Sequence, residues 1–267
     1  PVRSEDISHL ATEKESFQWE LVSLRNIRPR DINPVETSSF VSKIRNSTKV
    51  SDTIKSKTDI EILEYYNMLE GDSLTNLGVL WLGFSQQRAR LSYPISVQYI
   101  VYDKNDVKIR KEVWHDYTLN PMNLILDIEK KAIELTYFHE LPKGMFRDPI
   151  RHYPEKVVRE LLVNAIAHKS YSISGDIFIE VFQDRLEITN PGGLPTGVTR
   201  NNILHQRRRR NPHLINVLHD LNLMEGEGSG YDLIYEVNSR LGKPFPDIIS
   251  EYDSTKVIQE SGIMDEG

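Results

Sequence analysis

Glu160, Asn164 and His168 recur every fourth residue in the run Glu160-Leu-Leu-Val-Asn164-Ala-Ile-Ala-His168. Successive residues of an α-helix turn by about 100°, so these three polar side chains fall within an arc of about 80°. Two glycine clusters follow, Asn190-Pro191-Gly192-Gly193 and Gly226-Glu227-Gly228-Ser229-Gly230, with Arg207-Arg208-Arg209-Arg210 between them. A polar helix stripe, a glycine turn, a basic loop and a second glycine turn running into a helix form an order suited to a nucleoside triphosphate.

Each piece has its own chemistry. Glycine lets the backbone approach a ligand closely, and an Asn at a strand end can hydrogen-bond an adenine edge, which singles out Asn190, Gly192 and Gly193. The same four residues would also make an ordinary turn. Gly228 and Gly230 precede a helix, where outward-pointing amides carry partial positive charge and suit phosphate. The four arginines can cover a triphosphate, contact nucleic-acid phosphates, or form a solvated loop. Taken alone, Glu160, Asn164 and His168 read as the wet face of an amphipathic helix opposite Val158, Leu161, Leu162, Ala165 and Ile166. Asn is a mediocre helix former for a merely solvated face, which favours a role in the site.

These residues need positioning elements. Tyr153-Pro154-Glu155 starts a helix that runs to Ser170, with Pro154 in the first turn. Strands are expected at Asp176–Phe182 and Arg185–Thr189, joined by a Gln183-Asp184 turn. Helices follow at Pro212–Leu223 and Tyr231–Leu241, and then a hairpin of Ile248–Tyr252 and Lys256–Gln259. Upstream, Ile95–Val101 alternates as a strand, with Val113–Tyr117 as its partner across a turn at Asp103–Asp106. Helical spacing is expected over Met122–Leu141. Leu74–Gly83 is apolar and buried. Ser4-Glu5-Asp6-Ile7 is a helix start, and Ile27–Pro34 a connector. Helical spacing over Glu36–Leu69, with Lys43, Arg45, Lys49, Lys55 and Lys57 interspersed, fits either a winged-helix module or a helical subdomain with a basic face.

The chain has 267 residues, 39% hydrophobic and 27% charged, as expected of a globular protein. A net charge of −6 excludes a basic nucleic-acid coat, so any DNA contact would use a local patch. The absence of cysteine excludes disulfides and Cys-based zinc sites, and is compatible with cytoplasm. No apolar run approaches the roughly 18–20 residues that span a bilayer. The chain opens at Pro1 rather than Met, which reads as an internal fragment or a processed chain.

The run from Tyr153 through Arg159-Glu160-Leu-Leu-Val-Asn164-Ala-Ile-Ala-His168-Lys169-Ser170-Tyr171, then Arg185-Leu-Glu-Ile-Thr-Asn190-Pro-Gly-Gly-Leu-Pro195, Arg210-Asn211-Pro212 and Gly228-Ser229-Gly230, resembles the RecG-related ATPase-like domain. That family is a divergent branch of the GHKL superfamily. The resemblance spans about residues 151–260. It implies an α+β chain with a C-terminal two-layer α/β sandwich of the Bergerat type, a mixed and largely antiparallel sheet, and a smaller helical or α+β region before it. The divisions expected are 1–73, a helical region of winged-helix character; 74–150, a middle segment packing on the C-terminal domain; and 151–267, the nucleotide-binding domain.

Carried over by position, Glu160 would polarise the attacking water and Asn164 would hold Mg²⁺. Asn190 would take the place of the adenine-binding Asp, with Gly192 and Gly193 close to the base. Gly228 and Gly230 would cradle phosphates under a lid containing Arg209 or Arg210, and His168 completes the nucleotide-binding set. Two positions depart from the superfamily pattern: the adenine carboxylate is an amide, and Leu194 replaces the second glycine of Asp-x-Gly-x-Gly.

In family members a DNA-binding domain commonly comes first. The resemblance therefore implies a cytoplasmic, DNA-associated regulator using ATP and Mg²⁺, with DNA contacts through such a domain or through Arg207–Arg210, and with self-association as a homodimer. No Gly-x-x-x-x-Gly-Lys-[Ser/Thr] phosphate loop is present, so a P-loop helicase motor is not expected. The competing reading is a non-catalytic interaction or dimerisation module on the same fold. A metal hydrolase using His152, His168 and His205 lacks metal-ligand spacing.

Overall fold

Asn33 starts the first helix, its side chain accepting hydrogen bonds from the amides of Val35 and Glu36. The computed structural model describes residues 18–143, 146–195, 197–200, 202–203, 209–224 and 230–262, without the side chains of 139–150. The helix start at Ser4–Ile7, His205, Arg207, Arg208 and Gly228 therefore lie outside the described residues. Helix α1 (Pro34–Asn46) is followed by α2 (Asp52–Lys55) and α3 (Asp59–Tyr65). Thr58 and Glu61 cap α3 reciprocally. Three short strands, β1 (Ser23–Leu24), β2 (Leu69–Glu70) and β3 (Ser73–Thr75), form a sheet in the order β1-β3-β2. The apolar run at Leu74–Gly83 becomes α4 (Asn76–Leu82), buried along its whole length, and α5 (Ser85–Arg88) follows.

Strands β4 (Val97–Tyr102) and β5 (Lys108–Trp114) pair antiparallel, with Val97 opposite Trp114. The second strand comes earlier than the expected Val113–Tyr117. The Asp103 carboxylate accepts from the amides of Asn105 and Val107 and closes a shorter turn. Helix α6 (Pro121–Lys131) also stops before the expected Leu141. Ala132 leaves helical dihedrals at φ −80, ψ 62, a 3₁₀ turn covers Ile133–Thr136, and β6 (Phe138–Lys143) pairs with β7 (Phe146–Arg151). A short apolar run satisfies helix and strand periods alike, so spacing alone could not separate them.

The remaining elements match the sequence reading to within a few residues. They are α7 (Glu155–His168), β8 (Ile177–Val181), β9 (Arg185–Pro191), α8 (Pro212–Asp220), α9 (Gly230–Leu241), β10 (Asp247–Ser250) and β11 (Ser254–Glu260). A six-stranded sheet runs β10-β11-β9-β8-β4-β5. Every pairing is antiparallel except β4 with β8. The fold is α+β, and the sheet recruits two strands from before residue 151. Ile177, Ile179 and Val181 alternate inward on β8, as a half-covered sheet requires.

Helix α7 packs on β9 and is flanked by α6, α8 and α9. It is therefore buried on nearly all sides: Val157, Val163 and Ala167 are covered as well as the expected apolar face. The wet stripe is corrected accordingly. Glu160 is only 4% exposed, and Asn164 and His168 are half-buried. Among the described residues no helix is long and apolar enough to cross a membrane.

Candidate functional site

Helix α7 ends at His168, two residues before the expected Ser170, because its last carbonyls are taken by residues outside the helix. The Asn211 amide donates to Ala167 O at 2.8 Å and Lys169 O at 2.9 Å. The Arg210 guanidinium donates to His168 O at 3.1 Å and Gly193 O at 2.5 Å. Ser170 N donates to Pro191 O at 2.8 Å. Arg210 and Asn211 therefore pin the C-terminal end of α7 to the first glycine turn.

That turn needs its glycines. Gly192 has φ +102, and a methyl there would overlap the Arg210 guanidinium and meet Ser170 Cβ at 2.8 Å. Gly192 N donates to Asp253 O at 2.7 Å, and Thr255 Oγ1 donates to Gly192 O at 2.8 Å. The β10–β11 hairpin thus buttresses the turn from below.

The start of α9 meets the polar stripe. Gly230 opens α9 directly against Glu160, and a methyl at Gly230 would overlap the Glu160 carboxylate and lie 3.4 Å from Asn164 Nδ2. Asn164 Nδ2 in turn donates to Glu160 Oε1 at 3.2 Å. This leaves the Asn164 carbonyl oxygen for another partner.

Between the first glycine turn and Gly230 lies a cavity of about 270 Å³. Asn164, His168, Asn190, Gly192, Gly193 and Gly230 line it together with Arg209 and Arg210. Glu160 stands behind Asn164 and Gly230 rather than on the wall. Apolar side chains such as Ile188, Leu194, Ile215 and Val257 also line it. Tyr171 is turned away, stacked on Trp19 with ring centroids 4.4 Å apart.

Asn190 is the polar group set in the apolar part of this cavity. It is 8% exposed, and its Oδ1 is buried without a hydrogen-bond partner. An unpaired buried amide costs about 1–3 kcal/mol, so the protein maintains it at a loss unless a ligand completes it. Burial, and then the charges of Arg210 and Arg209, push the His168 imidazole down to about 4, so it is neutral near pH 7. Burial also lowers the Arg210 guanidinium from its ordinary value. The exposed Arg209 reaches Asn216 Oδ1 at 3.5 Å.

Sequence reasoning missed Asn216, His219, Tyr231 and Thr255, which also line the cavity. Asn216 and His219 sit three apart on α8, a helical-face signal that could have been followed. Thr255 carries no such signal, since only the pairing of β11 with β9 brings it opposite Asn190. The described residues contain no cluster of three His, Cys, Asp or Glu able to hold a metal, and His205 lies outside them.

Fold and site together define an α+β protein whose mixed sheet and helices enclose a cavity between the first glycine turn and Gly230. Residues 175–258 match a family model described as "Putative ATP-dependent DNA helicase recG C-terminal". This segment, about a third of the chain, lies inside the stretch that carries the resemblance, and over those residues the chain is similar to that family. Among solved structures, the DIP2311 protein from Corynebacterium diphtheriae is similar, with 20% identity and a TM-score of 0.72. The match covers 96% of this chain and 50% of that one, so this chain spans about half the length of that protein. At that identity the likeness concerns the fold. No curated protein matches the chain.

Proposed function

We propose that this chain is the nucleotide-binding part of a cytoplasmic, DNA-associated regulatory protein. ATP would lie between α7 and the two glycine turns. The observation that carries this reading is the Asn190 amide on the cavity wall, its Oδ1 buried and unpartnered. The base would complete that amide beside the Gly192-Gly193 turn, whose backbone lines the cavity. The ribose and phosphates would extend toward Gly230 and the start of α9, with Gly228 beyond.

The donor set around Asn164 fits Mg²⁺. Its amide nitrogen is committed to Glu160, so its oxygen is the end that faces a ligand. Mg²⁺ is commonly held by one or two protein oxygens and the substrate's own phosphates. Bound there, the ion would neutralise phosphate charge. DNA contact is assigned to the Arg207–Arg210 loop or to a further domain of a longer protein, because α3 carries Asp59, Glu61 and Glu64. Within the helical region, Arg45 is already engaged by Asp59 at 2.7 Å and Lys49 by Met224 O at 2.8 Å. Nucleotide binding would alter DNA contact or homodimerisation.

Titration with a labelled, non-hydrolysable ATP analogue in Mg²⁺ tests the reading. Binding in the micromolar to millimolar range is expected, and no binding at millimolar nucleotide overturns it. A second reading, nucleotide binding without turnover, is favoured by the placement of Glu160 behind Asn164. Mg²⁺-dependent phosphate release that disappears in Glu160→Gln would discard this second reading and assign Glu160 as the general base.

A further inference from the structure

The amide of Asn190 lines the cavity, its Oδ1 is buried without a hydrogen-bond partner, and among the described residues none accepts a hydrogen bond from its nitrogen. The polar groups around it are engaged elsewhere. Thr255 Oγ1 is spent on Gly192 O, Arg210 on His168 O and Gly193 O, and Asn211 on Ala167 O and Lys169 O. The nearest of the sequence-adjacent side chains, Pro191 and Thr189, do not hold it either. No protein bond is therefore lost when the terminal amide turns over, and that torsion is broad and roughly two-fold for Asn.

A carboxylate at this place would only accept hydrogen bonds. An amide accepts at one end and donates at the other. A 6-aminopurine presents a donor amino group beside an acceptor ring nitrogen. A 6-oxopurine presents the reverse, an acceptor oxygen beside a donor ring N–H. Turning the amide by half a revolution converts a match for the first edge into a match for the second. From the free amide we infer that the cavity takes purine nucleotides of both classes, 6-amino and 6-oxo, with Asn190 reading either edge. This rests on the nucleotide reading above, and it extends the ligand from ATP to purine nucleotides as a class.

The test is a pair of titrations on the unaltered protein, ATP and inosine triphosphate under the same Mg²⁺ and salt conditions. These ligands share sugar, phosphates and ring size, and differ at position 6 and its neighbouring ring nitrogen. Dissociation constants within about threefold of each other are expected, because each ligand forms the same number of amide bonds. Inosine triphosphate binding more than about tenfold weaker than ATP overturns the inference and leaves the ATP reading standing. Failure of both ligands overturns the nucleotide reading itself.

Asn190→Leu and Asn190→Ser supply the second arm, since neither offers a paired donor and acceptor. Both ligands are expected to weaken by a common factor of about tenfold or more. A loss confined to ATP would show that the amide reads one edge only and overturn the inference. Should Asn190→Leu fail to fold, the serine variant and the unaltered pair still decide.

Discussion

Gly230 lies so close to Glu160 that no side chain fits between them: a methyl there would overlap the carboxylate. This contact joins the start of α9 to the middle of α7 beside Asn164, whose amide donates to the same carboxylate at 3.2 Å. Gly230→Ala is expected to displace Glu160, cost about 1–3 kcal/mol of stability and weaken nucleotide binding. In a Glu160→Ala background the same substitution should cost far less. A double-mutant cycle by urea unfolding measures the coupling, and strict additivity would sink the proposed overlap.

Arg210 and Asn211 hold the end of α7 rather than projecting as free cations. Asn211→Ala removes both bonds to Ala167 O and Lys169 O, and a loss of about 2–3 kcal/mol is expected. Arg210→Ala frees His168 O and Gly193 O, with a loss of about 2–4 kcal/mol and a wider first turn. Thermal unfolding reads both. Arg210→Lys should recover little, because one ammonium cannot reproduce the two-pronged geometry.

DNA binding through the basic loop separates from this structural role. Arg209 is exposed, so Arg209→Ser should leave stability within about 0.5 kcal/mol. If the loop contacts phosphates, the same change lowers DNA affinity and flattens its salt dependence by about one unit of slope. An unchanged slope in electrophoretic or fluorescence titrations would remove Arg209 from the interface.

Two buried groups titrate with opposite effect. Glu20 is buried against the start of α8, where Leu214 N donates to its Oε1 at 2.5 Å. Burial outweighs the lowering by the Leu214 and His213 amides, and pushes its carboxyl from 4.5 up to about 7. The folded protein thus holds this proton more tightly than the unfolded chain. The Glu20 contribution is fully present below pH 4.5 and is lost as pH rises to about 7, a change of at most about 3 kcal/mol. The His168 imidazole is pushed the other way, from 6.5 to about 4, so its contribution is present above pH 6.5 and lost as pH falls toward 4. The two slopes oppose each other over pH 4.5–6.5. Glu20→Gln keeps the acceptor for Leu214 N and removes the titration. It should therefore unmask a stability that rises with pH in that window, read by urea midpoints at half-unit intervals. A variant curve parallel to the parent's would refute the assignment to Glu20.

Local elements near the site were readable because their signals are local. The period-two run Ile177–Val181, the Gln183-Asp184 turn, and Pro212 at the start of α8 each specify their own backbone. The first glycine turn was readable for the same reason: Gly192 adopts φ +102, which few other residues accept. The end of α6 was not readable, since Ile133, Leu135 and Phe138 satisfy either period and only the pairing of β6 with β7 chooses between them.

By itself, the sequence determined the types and order of the elements around the site, and the residues that had to be glycine or polar there. It could not determine that Glu160 is buried, because hydrophobic spacing records which side of a helix is apolar and not whether α9 covers the other. Nor could it show that Glu20 would serve the amides of α8 from nearly two hundred residues away, or that Thr255 would face Asn190 across paired strands. Such contacts join groups distant in the chain, and only the packing of the whole sheet and its helices brings them within hydrogen-bonding distance.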